Sequence, residues 1–283
     1  MKSLMLKLSA TLTLSSILAT SLLAATDSEV INFLKKGLSK NPNIISLDIS
    51  IANKKSVKEA QGWDAYILKL EGKVKNNGTT RDISQNSIYF VKGDLITPEL
   101  INIKTGKRLN DSIGPDFKAD YYSKSNLIYG NENAKHKVAI FSDPLCPFCR
   151  KFVPEAINYM KKYPNNFAIY YYHFPLPSLH PAAVTLTKAA AAAELQGAKD
   201  VTLKMYNVTI DAREKDDQKI LNAFNKIVGT HITIQDIHSK AVMNHGKHDS
   251  MVASSMMVSG TPTLFFDGEK DSSKKQYLDV KVK

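Results

Sequence analysis

The chain of 283 residues holds only two cysteines, Cys146 and Cys149, separated by Pro147 and Phe148. They fall between an apolar run, Lys137 to Phe141, that reads as a strand and a pattern from about Cys149 to Lys162 that reads as a helix. A disulfide closing so small a loop removes little entropy from the unfolded chain, so the pair is a poor staple and better suited to exchange. A strand, a turn carrying Asp143 and Pro144, and a helix opening on the pair put Cys146 beside unpaired N–H groups and the positive helix end, where a thiolate is favoured. Cys146 is the expected nucleophile. Cys149, nearly a turn further in, is the expected resolving thiol that attacks a mixed disulfide formed at Cys146. Pro147 sits in the first helical turn, where its missing N–H is harmless, and Phe148 sets an apolar surface beside the sulfur; both are expected to contact substrate. Pro154 is expected to kink the same helix.

Zinc is the usual competitor for a Cys-x-x-Cys pair, but it needs a second compact ligand pair, and the sequence has none. His245 and His248, with Met243, Met251, Met256 and Met257 nearby, have two readings: a soft-metal site interrupted by Gly246, or a helix packing a core. Asp143 is a candidate proton relay during thiol exchange or a turn residue. Arg150 either steadies an anionic sulfur or lies solvated on the surface. His173 and His180, flanking Phe174-Pro175-Leu176-Pro177, read as loop or packed histidines. No metal and no cofactor is expected apart from the redox-active disulfide Cys146–Cys149 itself.

The first residues, Lys2 and Lys7 followed by an uncharged stretch from Leu8 to Ala25, read as an export leader cleaved near Ala24 or Ala25. The alternative, a membrane anchor, is short for a bilayer of about 30 Å and is interrupted by hydroxyl residues. Removing residues 1–25 takes away two lysines, so the net charge falls from +11 to +9. That excess is scattered lysine with four arginines, which reads as a solvated surface and not as a nucleic-acid site, where clustered Arg and stacking aromatics are expected.

Two domains are expected in the remaining chain. In residues 26–111, Thr26 and Glu29 are spaced as a capping box ahead of a helix. Strand-like runs come next at Ile44–Ile51, Tyr66–Val74 and Ile88–Val91, with a turn signal at Asn77-Gly78. Gly114-Pro115 breaks the pattern, residues 112–128 read as a helical or mixed linker, and the second domain runs over 129–283. Within it a helical block of about 178–257, alanine-dense at Ala189–Ala193, precedes Gly260-Thr261-Pro262-Thr263 and a short strand, Leu264–Phe266.

The Cys-Pro-Phe-Cys motif, Pro154 five residues beyond it and Thr261-Pro262 just before a strand resemble the thioredoxin superfamily. The resemblance implies an α+β protein with a thioredoxin-like catalytic domain carrying a helical insertion. It also implies a cis Pro262 lying against the cysteine pair and a Thr261 that presents its backbone to an extended substrate. The leader, the separate first domain and the insertion are similar to the DsbC/DsbG branch of periplasmic disulfide interchange proteins. That likeness implies a small cystatin-like α+β dimerisation domain at 26–111, a linker helix at 112–128, and a homodimer whose cleft holds unfolded clients. The implied activity is that of a thiol-disulfide isomerase or reductase acting on unfolded or misoxidised exported proteins in the periplasm. Its partner would be a DsbD- or DsbB-like membrane protein; no nucleic acid is implied. Two features depart from the branch: no additional structural cysteine pair is present, and Phe174–Ala193 with His180-Pro181 resembles the oxidase-type DsbA branch. A dimeric oxidase, and a holdase chaperone without redox chemistry, are therefore the alternatives. Direction is a matter of potential, from about −180 mV for an isomerase to about −120 mV for a strong oxidant.

Overall fold

The computed structural model describes residues 24–76 and 78–282; the leader-like segment 1–23 lies outside the described residues. Helix α1 (Asp27–Leu38) starts on the capping box, with the Thr26 hydroxyl accepting from Glu29 N and the Glu29 carboxylate accepting from Thr26 N. Strands β1 (Ile44–Ser56), β2 (Asp64–Asn76), β3 (Thr79–Lys92) and β4 (Leu95–Thr97) form an antiparallel meander in sequence order. Asn76 pairs with Thr79, and Gly78 takes φ +81° in that two-residue connection, a conformation glycine adopts without a Cβ penalty. The strands extend well beyond the apolar runs of the sequence, because their outer halves alternate exposed and half-buried residues that carry no hydrophobic signal.

The period of two divides β2 between two small cores. Tyr66, Leu68 and Leu70 face α1 and pack with Val30 and Leu34, whereas Ala65 and Ile67 face the opposite side with Phe90 and Leu109. Met257, from the second half of the chain, packs on that opposite side. Asn86 Nδ2 also donates to Ser255 O at 2.6 Å and Asn53 Nδ2 to Asp116 Oδ2 at 2.5 Å, so the first sheet is fastened both to the linker and to the second domain.

The second sheet has the order β5-β7-β6-β8-β9, built from β5 (Leu127–Tyr129), β6 (His136–Ser142), β7 (Phe167–His173), β8 (Thr263–Phe266) and β9 (Glu269–Lys270). β6 and β7 run parallel with α2 (Pro147–Met160) between them, and β8 returns antiparallel to β6. β7 is buried along its whole length because both faces are covered. Phe167, Ile169 and Tyr171 join the core with α2 and the insertion; Ala168, Tyr170 and Tyr172 join a second core with Phe117 and Val252.

The insertion between β7 and β8 consists of α3 (Pro181–Leu195), α4 (Val201–Met205), α5 (Asp217–Val228), α6 (Ile234–Ile237) and α7 (Lys240–Ser255). The last part of the helical block is broken at His238, and Ser239 caps a new helix by accepting from Val242 N. After β8 the chain makes a hairpin to β9 and a short 3-10 turn at Gln276–Leu278.

The linker helix expected over 112–128 is not formed. The segment is extended, with three-residue 3-10 turns at Ala119–Tyr121 and Lys124–Asn126. Long-range partners win over local helix bonds here: Phe117 N donates to Gly268 O at 2.7 Å, and the Phe117 ring packs 5.5 Å from Phe265 and 5.6 Å from Tyr172. The buried Asn126 side chain bonds Tyr171 O and Asp249 Oδ1. The segment thus covers one face of the second sheet instead of standing free.

Candidate active site

Parallel β6 ends at Ser142, and the chain must turn before it can enter α2. Asp143 organises that turn. Its carboxylate is fully buried; Oδ1 accepts from Leu145 N at 2.7 Å and Cys146 N at 3.2 Å, and Oδ2 accepts from Leu176 N at 2.8 Å and lies 3.0 Å from His180 Nδ1. Asp143 therefore ties the motif loop to the loop leading into α3. Of these four partners the His180 ring is the one titratable group.

Cys146 is the N-cap of α2, and Pro147 occupies the first turn. The Cys146 carbonyl accepts the first helical bond, from Arg150 N at 3.0 Å. The helix continues past Pro154 to Met160, with Cys149, Val153, Ala156, Ile157 and Met160 on its buried face. Both cysteines are free thiols in this structure. Cys146 Sγ lies 3.8 Å from the carbonyl oxygen of Thr261, and the Thr261–Pro262 peptide bond is cis. Pro147, Phe148, Phe152, Thr261 and Pro262 line an open groove of about 710 Å³ rimmed by Lys151, Glu155 and Lys274. Phe148 is 77% exposed on this groove.

Cys149 is completely buried, and burial pushes its thiol up from an ordinary value near 9 to about 11. The neighbouring Cys146 adds to the rise, whereas the hydroxyls of Ser142 and Thr261 and the Asp143 N–H work against it. The fold therefore holds the Cys149 proton more tightly than the unfolded chain does. The resulting stabilisation is fully present below the unfolded value of about 8.5 and is lost as pH rises through about 11. The denaturation midpoint of the reduced protein is expected to fall across that window more steeply than that of Cys149→Ser, whose hydroxyl does not ionise there; parallel urea titrations at several pH values check this.

Behind Cys149 lies a hydroxyl cluster that the sequence does not disclose. Ser142 Oγ and Tyr206 OH are 2.6 Å apart, and Tyr206 OH and Tyr171 OH 2.8 Å apart, all buried. The only sequence signal is that a phenol inside a buried strand needs a polar partner. That the partner is Tyr206, from the insertion, is a tertiary fact. Arg150 departs from both of its sequence readings. Its guanidinium donates to the carbonyls of Tyr206, at 2.9 Å from Nη2, and Val208, fastening α2 to the insertion.

His180 meets the motif loop through Asp143, whereas His173, His245 and His248 gather around Glu194 and Asp249. His173 Nε2 is 3.8 Å from Glu194 Oε2, and His245 and His248 stand 3.5 and 3.7 Å from the buried Asp249 carboxylate. Met256 packs in the core beside Phe117, Met251 is exposed, and Met243, also exposed, lines a cavity with His173 and His245. Among the described residues no group of three or more His, Cys, Asp or Glu side chains is arranged to hold a metal ion.

Comparison with known proteins adds to this geometry. A 151-residue stretch is 27% identical to the Na(+)/H(+) antiporter NhaA 1 of Mycolicibacterium gilvum, covering 50% of this chain and 23% of that protein. The chain thus spans about a quarter of the length of this curated relative. Among solved structures, a thioredoxin-like oxidoreductase from Silicibacter pomeroyi is similar at 20% identity and a TM-score of 0.45, over 57% of this chain and 94% of that one. BdbD from Bacillus subtilis is similar at 14% identity and a TM-score of 0.47, over 60% and 94% of the two chains. Residues 123–281, more than half of the sequence and the whole of the second sheet with its helices, match the family model described as thioredoxin. The chain belongs to the thioredoxin family.

Proposed function

We propose that the protein is a periplasmic thiol-disulfide oxidoreductase of the DsbC/DsbG kind, reducing or shuffling disulfides in exported proteins. The observation that carries this reading is the arrangement of Cys146 at the head of α2, against the Thr261 carbonyl and beside the apolar groove, with Cys149 sealed behind it. A client segment lying in the groove, against Pro147, Phe148 and the Thr261 backbone, brings its disulfide to the one thiol within reach. The Cys146 thiolate attacks it, the client S–S bond breaks, and its electron pair leaves on the departing client sulfur, which takes a proton from solvent. Release then takes one of two routes. A second client thiolate attacks the client sulfur of the mixed disulfide, which re-pairs the client and returns the Cys146 thiolate. Otherwise Cys149, its proton lost, attacks Cys146, expelling the reduced client and leaving the redox-active Cys146–Cys149 disulfide.

The leader at residues 1–25 supports export, and spent disulfide would then be reduced by a DsbD-like membrane partner, or dithiol oxidised by a DsbB-like one. Dimerisation through the first domain is supported by an apolar groove along the short edge strand β4, where Phe33 and Leu95 are 62% and 65% exposed. The reading is tested on a client with scrambled disulfides. Catalytic amounts of reduced protein are expected to restore client activity, with no effect from Cys146→Ser. Faster oxidation of a reduced client than rescue of a scrambled one would place the protein with the DsbA-like oxidases; protection from aggregation that survives loss of both cysteines would make it a holdase.

A further inference from the structure

We propose that the exchange site selects client segments that carry acidic side chains beside their cysteine, and that Lys151, on α2, and Lys274, from the segment beyond β9, set this preference. The inference rests on the exchange chemistry proposed above and names the clients that chemistry favours.

On α2, Phe148, Lys151, Phe152 and Glu155 stand at the i, i+3, i+4 and i+7 positions of one stripe, and all four line the groove. With a rise of about 1.5 Å per residue, Lys151 lies about 7–8 Å along the helix axis from Cys146 and Glu155 about 13–14 Å. The end of the stripe nearer the nucleophile is therefore cationic, and the acid is a turn further off.

The second cation is brought to the groove from the far end of the chain. Asp271 is buried, and its N–H donates to Leu264 O at 2.9 Å, which ties the segment to β8 two residues after Pro262. The Asp271 carboxylate accepts from Ser273 Oγ at 2.6 Å, Lys274 N at 2.9 Å and Gln276 N at 3.0 Å. Tyr277, also buried, packs its ring 5.6 Å from that of Tyr159 on α2. Tied to the strand on one side and to α2 on the other, the turn holds Lys274 at φ +58°, a left-handed conformation that a residue with a Cβ adopts only at a cost. The half-buried Lys274 thereby lines the groove together with Phe148, Thr261 and Pro262.

Neither lysine is spent on the fold. Among the described residues no ion pair takes up the ammonium of Lys151 or Lys274, and Lys151 does not pair with Glu155 despite their i, i+4 spacing. An apolar floor bordered by two such cations complements a segment whose apolar residue lies on Phe148 and Phe152 and whose carboxylates meet the lysines. A basic segment meets like charge there instead.

The test uses the reduced protein and two short peptides of one sequence, each with a single cysteine held as a mixed disulfide with thionitrobenzoate, that differ only in having Asp or Lys on both sides of that cysteine. The Cys146 thiolate attacks the peptide sulfur, the S–S bond breaks, and thionitrobenzoate leaves with the electron pair, so its colour reports formation of the Cys146–peptide disulfide. Dividing each rate by that of the same peptide with 2-mercaptoethanol, a neutral thiol, removes the peptides' own difference in reactivity. The acidic peptide is expected to react about tenfold faster than the basic one at low ionic strength, and the ratio to fall to about twofold in about 0.5 M salt. Lys151→Glu and Lys274→Glu are each expected to lower the ratio about threefold, and the double variant to bring it to about one or below. A turn or helix that is merely loosened slows both peptides alike and leaves the ratio where it is. A ratio near one in the wild type, or a preference that survives both charge reversals, would overturn the proposal. Failure of both peptides to react would instead overturn the exchange role of Cys146, and this inference with it.

Discussion

Cys146→Ser is expected to abolish disulfide exchange, lowering its rate at least about a thousandfold. The only other thiol that could replace it is Cys149, which is fully buried and pushed up to about 11. At neutral pH such a thiol stays protonated, and its burial leaves it no open path to a client. Insulin reduction by dithiothreitol, monitored by turbidity, measures the loss. Cys149→Ser behaves differently: Cys146 still attacks, but the escape route is gone, so mixed disulfides with clients accumulate and are captured on non-reducing gels. A Cys146→Ser protein that retains a tenth of wild-type activity would remove Cys146 from the mechanism.

Asp143→Ala carries the largest expected loss of stability outside the apolar cores. It strips an acceptor from Leu145 N, Leu176 N and His180 Nδ1 at once and leaves Cys146 N with only the Asp143 carbonyl at 3.3 Å, around a side chain fully closed to water. A buried donor left unpaired costs about 1–3 kcal/mol, and four neighbours relax together, so a total of about 3–5 kcal/mol is expected. Exchange should fall as well, since the loop holding Cys146 at the Thr261 carbonyl loses its anchor. Asp143→Asn keeps one acceptor oxygen but turns an N–H₂ toward two of the donors, and should lie between. Urea denaturation of the three reduced proteins checks the order; a change of under about 1 kcal/mol for Asp143→Ala would mean that the loops hold together without it.

How much of this protein is legible in its sequence depends on the distance over which each feature is encoded. The strand, turn and helix that present the cysteines are consecutive, so their signals, an apolar run, Asp143-Pro144 and a proline in the first turn, can be read in one window. The capping box of α1 is legible for the same reason. Pro262 is reached only by resemblance, because nothing in residue spacing brings it next to Cys146 across more than a hundred residues. The Arg150 clamp, the Tyr206–Ser142 bond and the collapse of residues 112–128 onto the sheet are not legible. Each depends on a partner from a distant element: Tyr206 and Val208 for Arg150, Ser142 for Tyr206, and Gly268 and Phe265 for Phe117. Histidines and methionines that look like one group along the chain are divided in the fold: Met243 keeps company with His245, Met251 turns to solvent, and Met256, past the end of α7, packs in the core.

The central claim is that Cys146 and Cys149 form a reversible dithiol–disulfide couple, and equilibration of the protein in glutathione buffers of graded ratio, with acid quench and alkylation, tests it most directly. A single two-electron transition between the dithiol and an intramolecular disulfide is predicted, at a potential between about −270 and about −120 mV, the span of thioredoxin-fold exchange proteins. Cysteines that stay reduced at every ratio, or that take up glutathione at Cys146 without ever closing onto Cys149, would contradict it.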